Sequence, residues 1–408
     1  MMEKINNIPR LRFPEFNQQW NLLAFGSILI SSRLGGNYSN SETDTGFPLI
    51  KMGNLGRGKI NLSKIEYIED TDNINPIDEI QRGDLFFNTR NTLDLVGKVA
   101  IWNEELPMAY YNSNLMWIKF ENNYFMNFRL NSFQGIKALR SIATGTTSVA
   151  AIYTKDLLKI KLAIPSLPEQ QKIADFLTAV DFKIQQLTRK KTLLEKYKKG
   201  VSQQIFSQQL RFKQDDGNDF PDWEERRLGD VADVRDGTHD SPKYQGEGYP
   251  LITSKNLLVN GSIDMNNVNY ISLNDFQNIN KRSGVAVGDI LFGMIGTIGN
   301  PVLIRKAEFA IKNVALIKEK KDLANTYLVQ LLNSDLIKNQ FHKLNTGGIQ
   351  KFLSLTIIRG LIVKMPSKKE QYKIASFLSE IDNKVNGVDQ QIKYAQNFKK
   401  GLLQQMFI

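Results

Sequence analysis

The chain contains no cysteine, and only two histidines, His239 and His342, occur among its 408 residues. Without cysteine there are no disulfides and no thiolate metal sites, and this absence is a weak indication of a reducing compartment. Because the two histidines stand in different halves of the sequence, a histidine-rich metal centre is not expected.

Long apolar runs are missing as well. The most apolar window, residues 284–304, is interrupted by Asp289, Asn300 and several glycines and prolines, so it cannot span a bilayer. The first seven residues have no apolar segment after their charges and do not resemble a signal peptide. We therefore expect a soluble protein of the cytoplasm with no membrane partner.

Motifs of catalysis are absent or incomplete. No Pro-Pro pair occurs, so the chain lacks the Asn/Asp-Pro-Pro-aromatic loop of methyltransferases that act on base amino groups. Residues 53–59 match the first seven positions of a phosphate-binding P-loop, but Ile60 stands where Ser or Thr must hold magnesium. Residues 292–296 lack the spacing of a dinucleotide site, and His239 beside Asp240 has no nucleophile. We expect no catalytic residue, metal or cofactor in this chain.

Negative charge is in deficit. The chain has 42 Asp and Glu against 53 Lys and Arg, a formal net charge of +11. This balance favours a polyanionic partner, most simply nucleic acid, through counterion release from phosphates. Many basic proteins bind no nucleic acid, so charge alone indicates little.

What the chain does have is internal repetition. Residues 165–206 and 366–407 align without a gap at an offset of about 200 residues. Both stretches begin with Pro-Ser, continue with Glu-Gln, Lys-Ile-Ala and Phe-Leu, and end with Lys-Lys-Gly and Gln-Gln. Each half of the chain therefore contains a copy of the same long segment.

Apolar residues in both copies alternate at spacings of four and three, the heptad of a helix that buries one narrow seam against another helix. The predicted seam consists of Ile173, Leu177, Val180, Ile184, Leu187, Leu194, Val201, Ile374, Leu378, Ile381, Val385, Val388, Ile392, Leu402 and Met406. Lysine enters the seam only in the distal half of each copy. The length of the pattern predicts an antiparallel coiled coil, and two amphipathic helices on separate cores are the alternative.

The segments that precede the helices repeat too. Leu11-Arg12-Phe13 with Trp20 is echoed by Leu210-Arg211-Phe212 with Trp223. Later, each half carries a Gly-x-Pro-Leu-Ile and a Gly-Asp-x-x-Phe motif in the same order. The chain is therefore a tandem duplication.

Each half divides into a globular part and a helix. Short apolar runs between turn residues predict strands, and helical spacing over residues 126–143 and 324–343 predicts internal helices. We predict two α+β globular domains and two long helices, related by a pseudo-two-fold axis. The predicted boundaries are residues 1–164, 165–207, 208–365 and 366–408.

This arrangement has a geometric consequence. Two antiparallel helices, each with a globular domain at its start, are expected to place those domains at opposite ends of one stalk. If the domains bind DNA, they would contact half-sites in opposite orientation, about one helical turn apart.

The polar tips beside the repeated segments differ between the halves. Arg, Lys, Asn, Gln, Ser and Thr side chains can contact base edges, so we predict DNA contacts in these loops; ordinary polar turns are the alternative. The candidates in the first half are Arg33, Asn88, Thr89, Arg90, Asn91, Thr144, Thr146, Thr147 and Ser148. The candidates in the second half are His239, Lys243, Tyr244, Lys255, Asn256, Thr346, Gly347, Gly348, Gln350 and Lys351.

The order of parts resembles a known family. A Trp-containing opening segment, a variable domain and a Pro-x-x-x-Glu-Gln-x-x-Ile-Ala-x-x-Leu helix, all present twice, are similar to the specificity subunit of bacterial type I restriction-modification systems. Residues 165–177 and 366–378 carry the resemblance, and the first copy has the fuller form, Pro-Ser-Leu-Pro-Glu-Gln-Gln. The second copy departs from it by Lys368-Lys369 in place of Leu-Pro.

The resemblance implies a function. The globular domains would be target-recognition domains, each contacting one half of a bipartite, asymmetric site on double-stranded DNA across an unread gap. The paired helices would dock two methyltransferase subunits, which would bind S-adenosylmethionine and flip the adenine. ATP and magnesium would belong to separate restriction subunits, and this chain would have no enzymatic activity.

Two other hypotheses stay open at the level of sequence. A coiled-coil adaptor for protein partners would bind DNA weakly and without sequence preference. A self-sufficient enzyme would bind the methyl donor by itself.

Overall fold

The computed structural model describes residues 7–69, 72–344 and 352–408. The chain divides into two compact units, of which unit 1 comprises Met1–Thr188 and Gln390–Ile408 and unit 2 comprises Arg189–Asp389. Each unit contains a globular part, the first half of one long helix and the second half of the other.

Unit 1 is built from short strands and a few helices. Its strands are β1 (Asn21–Ala24), β2 (Ser31–Leu34), β3 (Asn40–Ser41), β4 (Pro48–Ile50), β5 (Gly58–Lys59), β6 (Glu66–Ile68), β7 (Leu85–Asn88), β8 (Arg90–Asn91), β9 (Val99–Ile101), β10 (Tyr110–Tyr111), β11 (Leu115–Lys119), β12 (Thr144–Gly145), β13 (Ala150–Ala151) and β14 (Lys161–Ile164). Its helices are α1 (Phe25–Ile28), α2 (Asn123–Asn131), α3 (Phe133–Ser141), α4 (Thr154–Leu157) and the long α5 (Leu167–Phe206), which continues into unit 2.

The central sheet of unit 1 has the strand order β2-β11-β7-β9-β5. Successive residues of a strand point to opposite faces, and both faces of this sheet are covered. Leu85 and Phe87 of β7 join the core that includes α2, α3 and α5, whereas Phe86 joins a second core with Trp102 and Tyr111. Uninterrupted burial along β7 follows from this sandwiched position.

Unit 2 repeats the plan. Its strands are β15 (Glu224–Arg227), β16 (Ala232–Asp236), β17 (Tyr249–Ile252), β18 (Asn269–Ile271), β19 (Ile290–Gly293), β20 (Gly299–Leu303), β21 (Ala310–Ile311), β22 (Val314–Glu319) and β23 (Ile362–Met365). Its helices are α6 (Leu228–Val231), α7 (Leu273–Ser283), α8 (Asn325–Leu332), α9 (Asp335–Leu344), α10 (Leu355–Gly360) and the long α11 (Lys368–Gln405), which continues into unit 1.

The sheet order β16-β22-β19-β20 in unit 2 matches the order β2-β11-β7-β9 in unit 1. Again one face of the sheet packs on the main core and the other on a second, smaller core. The prediction of an α+β tandem duplication is confirmed. The units differ in α7, which stands where unit 1 has only the 3-10 turn Pro76–Asp78.

The internal helical stretches each form two helices. In unit 1 the helix breaks at Ser132, which has extended backbone angles and whose side-chain oxygen accepts a hydrogen bond from the Gly135 amide at 3.1 Å. This N-cap ends α2 and starts α3. In unit 2 the break between α8 and α9 falls at the equivalent Asn333-Ser334.

A buried carboxylate ties the opening segment of unit 1 to α5. Glu169 accepts hydrogen bonds from Arg12 Nε and Nη2, both at 2.7 Å, and from Trp20 Nε1 at 3.1 Å. Phe13 packs edge-on against Phe176, about two helical turns further along α5. The hydrogen bond to Glu169 raises the pKa of Arg12. A bidentate pair of this kind fixes orientation as well as distance.

Unit 2 contains the same arrangement. Glu370 accepts hydrogen bonds from Arg211 Nε at 3.3 Å and Nη2 at 3.0 Å, and from Trp223 Nε1 at 3.0 Å. Phe212 packs against Phe377 with ring centroids 5.6 Å apart. The Arg, Trp and Glu that repeat in the sequence are therefore one structural device used twice.

The seam is buried at both of its ends, and Val180, Ile184, Leu194 and Val385 within it are half-buried. In unit 1, Ile173 and Leu177 of α5 share a core with Leu402 and Met406 of α11. In unit 2, Val201 and Ile205 of α5 join Ile374, Leu378 and Ile381 of α11 in the same way. The start of each long helix thus packs against the end of the other, in antiparallel orientation, as the sequence predicts.

The seam lysines are neutralised by aspartates of the opposing helix. In unit 1, Lys399 Nζ lies 2.6 and 2.7 Å from the carboxylate oxygens of Asp181. In unit 2, Lys198 Nζ lies 2.6 Å from Asp382, and Lys191 pairs with Asp389. The two pairs of unit 2 are one heptad apart on each helix in opposite directions, which is what an antiparallel seam requires.

Within the described residues, no helix has the length and apolarity that a membrane span needs. The His, Asp and Glu side chains of the same residues form no group of three or more that could ligate a metal ion.

The buried carboxylate can be tested by the near-isosteric change Glu370→Gln. We expect the free energy of unfolding to fall by about 2 kcal/mol, because the fully buried carboxylate is lost and the partly buried Arg211 loses its nearest counter-ion and one acceptor. Urea unfolding followed by circular dichroism measures the change. Glu380→Gln removes an exposed carboxylate from the same helix and is expected to change the free energy by less than about 0.5 kcal/mol. Equal effects of the two changes would contradict this role for Glu370.

The seam pair of unit 1 can be tested by exchanging its charges. Asp181→Lys places a like charge against Lys399, and we expect a loss of about 1 kcal/mol because the pair is only partly buried. The double variant Asp181→Lys, Lys399→Asp is expected to recover most of that loss in a double-mutant cycle. Strictly additive effects would show that the two side chains do not interact.

Candidate nucleic-acid interface

The tips of unit 1 lie at one end of the central sheet. Leu34 of β2 pairs with Met116 of β11, and Leu115 pairs with Asn88 at the end of β7. The loops that follow β2 and β7 therefore leave the sheet side by side. We call residues 88–91 and 144–149 tip surface 1.

A small sheet joins the two segments of tip surface 1. Its strand order is β12-β13-β8, in which Ala151 pairs with Arg90 and with Thr144, and Ala150 pairs with Asn91. Gly145 makes the hairpin possible, because its φ is +128° and an added Cβ would lie 2.3 Å from the Val149 carbonyl oxygen. Two loops that are distant in sequence thus form one surface.

The predicted side chains of tip surface 1 differ in exposure. The fully exposed candidates are Arg90, Thr144, Thr146, Thr147 and Ser148, and the half-buried ones are Thr89 and Asn91. The Thr146 and Ser148 hydroxyls lie 3.1 Å apart across the hairpin turn. The exposed set provides one guanidinium and a row of hydroxyls, groups that can hydrogen-bond base edges or phosphates.

Asn88 has a different place from the exposed contact that the sequence predicts. Its side chain is fully buried, and its Oδ1 accepts a hydrogen bond from the Arg90 amide at 3.1 Å. Asn88 therefore shapes the turn that presents Arg90 and does not itself face solvent.

Arg33 is held inside unit 1. Its guanidinium lies over the rings of Trp117 and Tyr111, at 5.1 and 5.6 Å from the centroids, and donates to the Ile77 carbonyl. Asp78 lies beside it at 3.9 Å. These contacts leave only part of the side chain exposed, so Arg33 is fixed in orientation rather than free to extend.

Unit 2 places its tips at the equivalent sheet end. Asp236, the last residue of β16, pairs with Ala315, and Gly293 at the end of β19 pairs with Val314. We call residues 236–244, 254–256 and 293–296 tip surface 2. Ser254 joins two of these segments, because its hydroxyl accepts from the Met294 amide at 3.1 Å. The same hydroxyl donates at 3.0 Å to the carbonyl of Asn313, whose side chain contacts His239 in the third segment.

His239 is the most constrained exposed side chain of tip surface 2. Its Nε2 lies 2.7 Å from Asp236 Oδ2 and its Nδ1 lies 2.8 Å from Asn313 Oδ1, while just over half of the side chain faces solvent. The hydrogen bond with Asp236, followed by that with Asn313, raises the pKa of His239 above its ordinary value of 6.5; burial and the nearby Arg282 act against this. Two acceptor oxygens beside an imidazole favour its protonated form, in line with the direction of this shift.

The other exposed candidates of unit 2 are Lys243, Tyr244 and Lys255. Lys243 and Tyr244 are exposed on the loop, which Lys312 fixes by donating to the Asp240 carbonyl at 2.8 Å. Lys255 is exposed on the 3-10 turn that contains Ser254. Tip surface 2 therefore carries cations, an aromatic ring and a histidine where tip surface 1 carries an arginine and hydroxyls.

Asn256, like Asn88, is buried rather than exposed as predicted. Its Oδ1 accepts from the Thr253 amide at 2.9 Å, and its Nδ2 donates to the carbonyls of Asp264 and Asn267. Asn54 does the same in unit 1, where its Nδ2 donates to the carbonyls of residues 61 and 64. The repeated asparagine closes a loop in both units.

The remaining candidates, Thr346, Gly347, Gly348, Gln350 and Lys351, lie outside the described residues. Just after them, Phe352 pairs with Ile295, and the Leu353 amide donates to the Met294 carbonyl at 2.9 Å. This pairing is the counterpart of β8 with β13 in unit 1.

Sequence reasoning missed the residues that assemble tip surface 2. Ser254, Lys312 and Asn313 carry no local motif. They come together only because β17 and β19 end, and β22 begins, in the same region of unit 2. The position of Lys312 corresponds to Asn112 in the first half, since Asn112 bridges Gly36 and Lys312 bridges Thr238, and the two halves share no residue type there.

Comparison with known proteins gives consistent matches along the chain. Residues 30–196 and 221–394 match the family described as the type I restriction modification DNA specificity domain. The MjaX specificity subunit assigned to a type I restriction enzyme of Methanocaldococcus jannaschii is 24% identical over 421 residues, which cover 98% of this chain and 95% of that protein. The type I restriction enzyme EcoBI specificity subunit of Escherichia coli is 23% identical over 384 residues, 87% of this chain and 77% of that protein.

Solved structures show the same likeness in fold. The S subunit of a type I restriction-modification system from M. genitalium has a TM-score of 0.62 at 15% identity, and the match covers 98% of this chain and 99% of that one. A chain from a structural study of type I complex assembly and conformational transition has a TM-score of 0.54 at 16% identity, covering 95% and 97%. At these identities the likeness concerns the fold alone.

The protonation of His239 gives a prediction. In spectra of histidine-labelled protein we expect the pKa of His239, assigned with His239→Gln, to lie above 6.5 and to fall in Asp236→Asn, because that change removes the main partner. His342 is the other histidine of the sequence and accounts for the signal that remains in His239→Gln.

The same shift has a sign for stability. A raised folded-state pKa means that the folded state holds the proton more tightly than the unfolded chain. The contribution of His239 to stability is therefore complete below about pH 6.5 and is lost as the pH rises through the folded-state pKa. Urea unfolding of the wild type against His239→Gln across this window measures it, and a difference that grows with pH would contradict the assignment.

Proposed function

The chain belongs to the type I restriction modification DNA specificity family, and from that membership we propose that it is the DNA sequence-recognition subunit of a type I restriction-modification complex. Unit 1 and unit 2 each contact one half of a bipartite, asymmetric site on double-stranded DNA. The base pairs between the half-sites are not read.

One observation carries this proposal. The two units share strand order, helix packing and the Arg-Trp-Glu arrangement, yet the same sheet end presents different side chains. Arg90 and the hydroxyls of tip surface 1 offer other donors than His239, Lys243 and Lys255 of tip surface 2. Equal frameworks with unlike tips suit an asymmetric site, because base identity is discriminated by the pattern of donors and acceptors at the edge.

The long helices serve the complex in this proposal. They set the spacing between the half-sites and dock two methyltransferase subunits, and restriction subunits join the full complex. S-adenosylmethionine, ATP and magnesium bind to those partners, so that this chain supplies recognition without catalysis. The assembly acts on DNA in the cytoplasm of a bacterial cell.

A selection from random DNA duplexes by the full chain tests the proposal. We expect enrichment of two unlike half-sites separated by a fixed number of unconstrained base pairs, because each tip surface contacts its own bases. A palindromic site would contradict the division between two unlike tips. No enrichment at all would favour the adaptor hypothesis.

Single changes in the tips refine that test. Arg90→Ala is expected to relax the preference in one half-site and Lys255→Ala in the other, each at a cost of about 1–3 kcal/mol for a lost base contact. Binding assays on duplexes with substitutions in either half-site measure this. Arg226→Ala, an exposed arginine on β15 away from the tips, is the control and is expected to leave both preferences unchanged.

A further inference from the structure

The segment that matches the start of a P-loop has a different structure. Residues 52–54 form a 3-10 turn, and the next residues form a tight hairpin closed by the bridge between Leu55 and Ile60. The Gly56 amide donates to the Lys59 carbonyl at 2.9 Å. Arg57 stands at the tip of this hairpin, and strand β5 follows in place of a helix N-terminus.

Arg57 meets a second arginine at one backbone oxygen. Arg57 Nη2 donates to the Asp94 carbonyl at 3.1 Å, and Arg140 Nη2 donates to the same oxygen at 3.3 Å. Arg140 also lies 3.3 Å from the Asp94 carboxylate, whose side chain is 90% exposed. Two guanidinium groups thus converge on one residue at the surface.

Lys98 adds a third positive charge. Among the described residues, no hydrogen-bond or ion-pair partner of its ammonium group is found within bonding distance. Burial, and then the charge of Arg57, lowers the pKa of Lys98; burial, and then the charge of Arg140, lowers that of Arg57. Lys98 comes just before β9, and the pairing of β9 with β5 places it beside the hairpin that carries Arg57. Three cations therefore lie near one solvated carboxylate, an excess of positive charge that an incoming anion would relieve.

This cluster adjoins tip surface 1. The loop that contains Asp94 is joined to the hairpin of tip surface 1 by the Leu93 amide, which donates to the Thr147 carbonyl at 3.1 Å. At its start, the Thr92 amide donates to Asn91 Oδ1 at 2.8 Å. A duplex whose bases face tip surface 1 therefore passes its backbone close to the three cations.

We propose that Arg57, Lys98 and Arg140 together bind a backbone phosphate of the duplex beside the half-site of unit 1. The inference rests on the proposed function and adds to it a contact that positions the DNA without reading sequence. Arginine suits this role because its planar guanidinium can donate two parallel hydrogen bonds to phosphate oxygens.

Arg57 and Lys98 have no cationic counterpart in unit 2. The equivalent hairpin of unit 2, closed by the bridge between Leu257 and Ile263, contains no lysine or arginine, and Val259 is 87% exposed at its tip. At the position of Lys98, unit 2 has Asn300, whose Nδ2 donates to the Leu257 carbonyl at 2.9 Å. We therefore expect the two half-sites to differ in how strongly salt weakens their binding.

The test uses the full chain with a duplex carrying its selected site and a scrambled duplex. In the variant Arg57→Gln, Lys98→Gln, Arg140→Gln we expect affinity for both duplexes to fall by the same factor. The slope of log K against log salt should become shallower by about 1, as for one lost phosphate contact. Arg57→Lys with Arg140→Lys keeps the charges and should restore the slope.

The control is Lys119→Gln, which removes an exposed cation at the opposite end of β11 in the same unit. If the triple variant had the same salt slope as Lys119→Gln, this inference would be overturned. The proposed function would still stand, provided that the wild type discriminates the two duplexes. If the wild type did not discriminate, both would fall. Calorimetric binding of inorganic phosphate to the wild type, lost in the triple variant, would identify a free phosphate as the ligand instead and would also overturn it.

Discussion

The buried carboxylate at the start of each long helix is the contact on which the architecture depends. Glu169 and Glu370 each accept hydrogen bonds from an arginine and a tryptophan in a segment about 150 residues earlier in the chain. A buried carboxylate is stable only when its oxygens are hydrogen-bonded and its charge is matched. Removing either the arginine or the tryptophan is therefore expected to lower the stability of the unit. The contact therefore fixes where the globular part of each unit meets its helix.

Each long helix contributes residues to the cores of both units. Each unit completes its core with the end of the helix that started in the other unit, through Leu402 and Met406 in one case and Val201 and Ile205 in the other. Lysine occurs in the seam only in the distal half of each helix. It is tolerated there because each of these lysines faces an aspartate on the opposing helix. Opposite charges at fixed seam positions favour one register over its neighbours.

In our proposal, DNA is recognised by the loops that leave the ends of the duplicated central strands. The ends of the central strands are equivalent in the two units, but the loops that leave them differ in charge, aromatic content and length. Rigid strands hold these loops, and buried asparagines such as Asn88 and Asn256 shape them from beneath. Recognition can diverge in such loops without cost to the core, because their exposed side chains contribute little to packing.

The duplication, the α+β class, the long helices and the seam can be predicted from the sequence, because repeats and heptads are periodic patterns along one dimension. Several predicted tip residues, such as Arg90, His239 and Lys255, are exposed, and their contact with DNA stays a prediction. The folded chain alone shows that Asn88 and Asn256 are buried, that Arg33 is held against Trp117, and that Ser254 and Asn313 support tip surface 2. It also shows that the segment resembling an incomplete P-loop forms a hairpin near Lys98 and Arg140. These facts depend on which strand ends lie next to each other, and strand order in a sheet is set by packing between distant segments that no local pattern records.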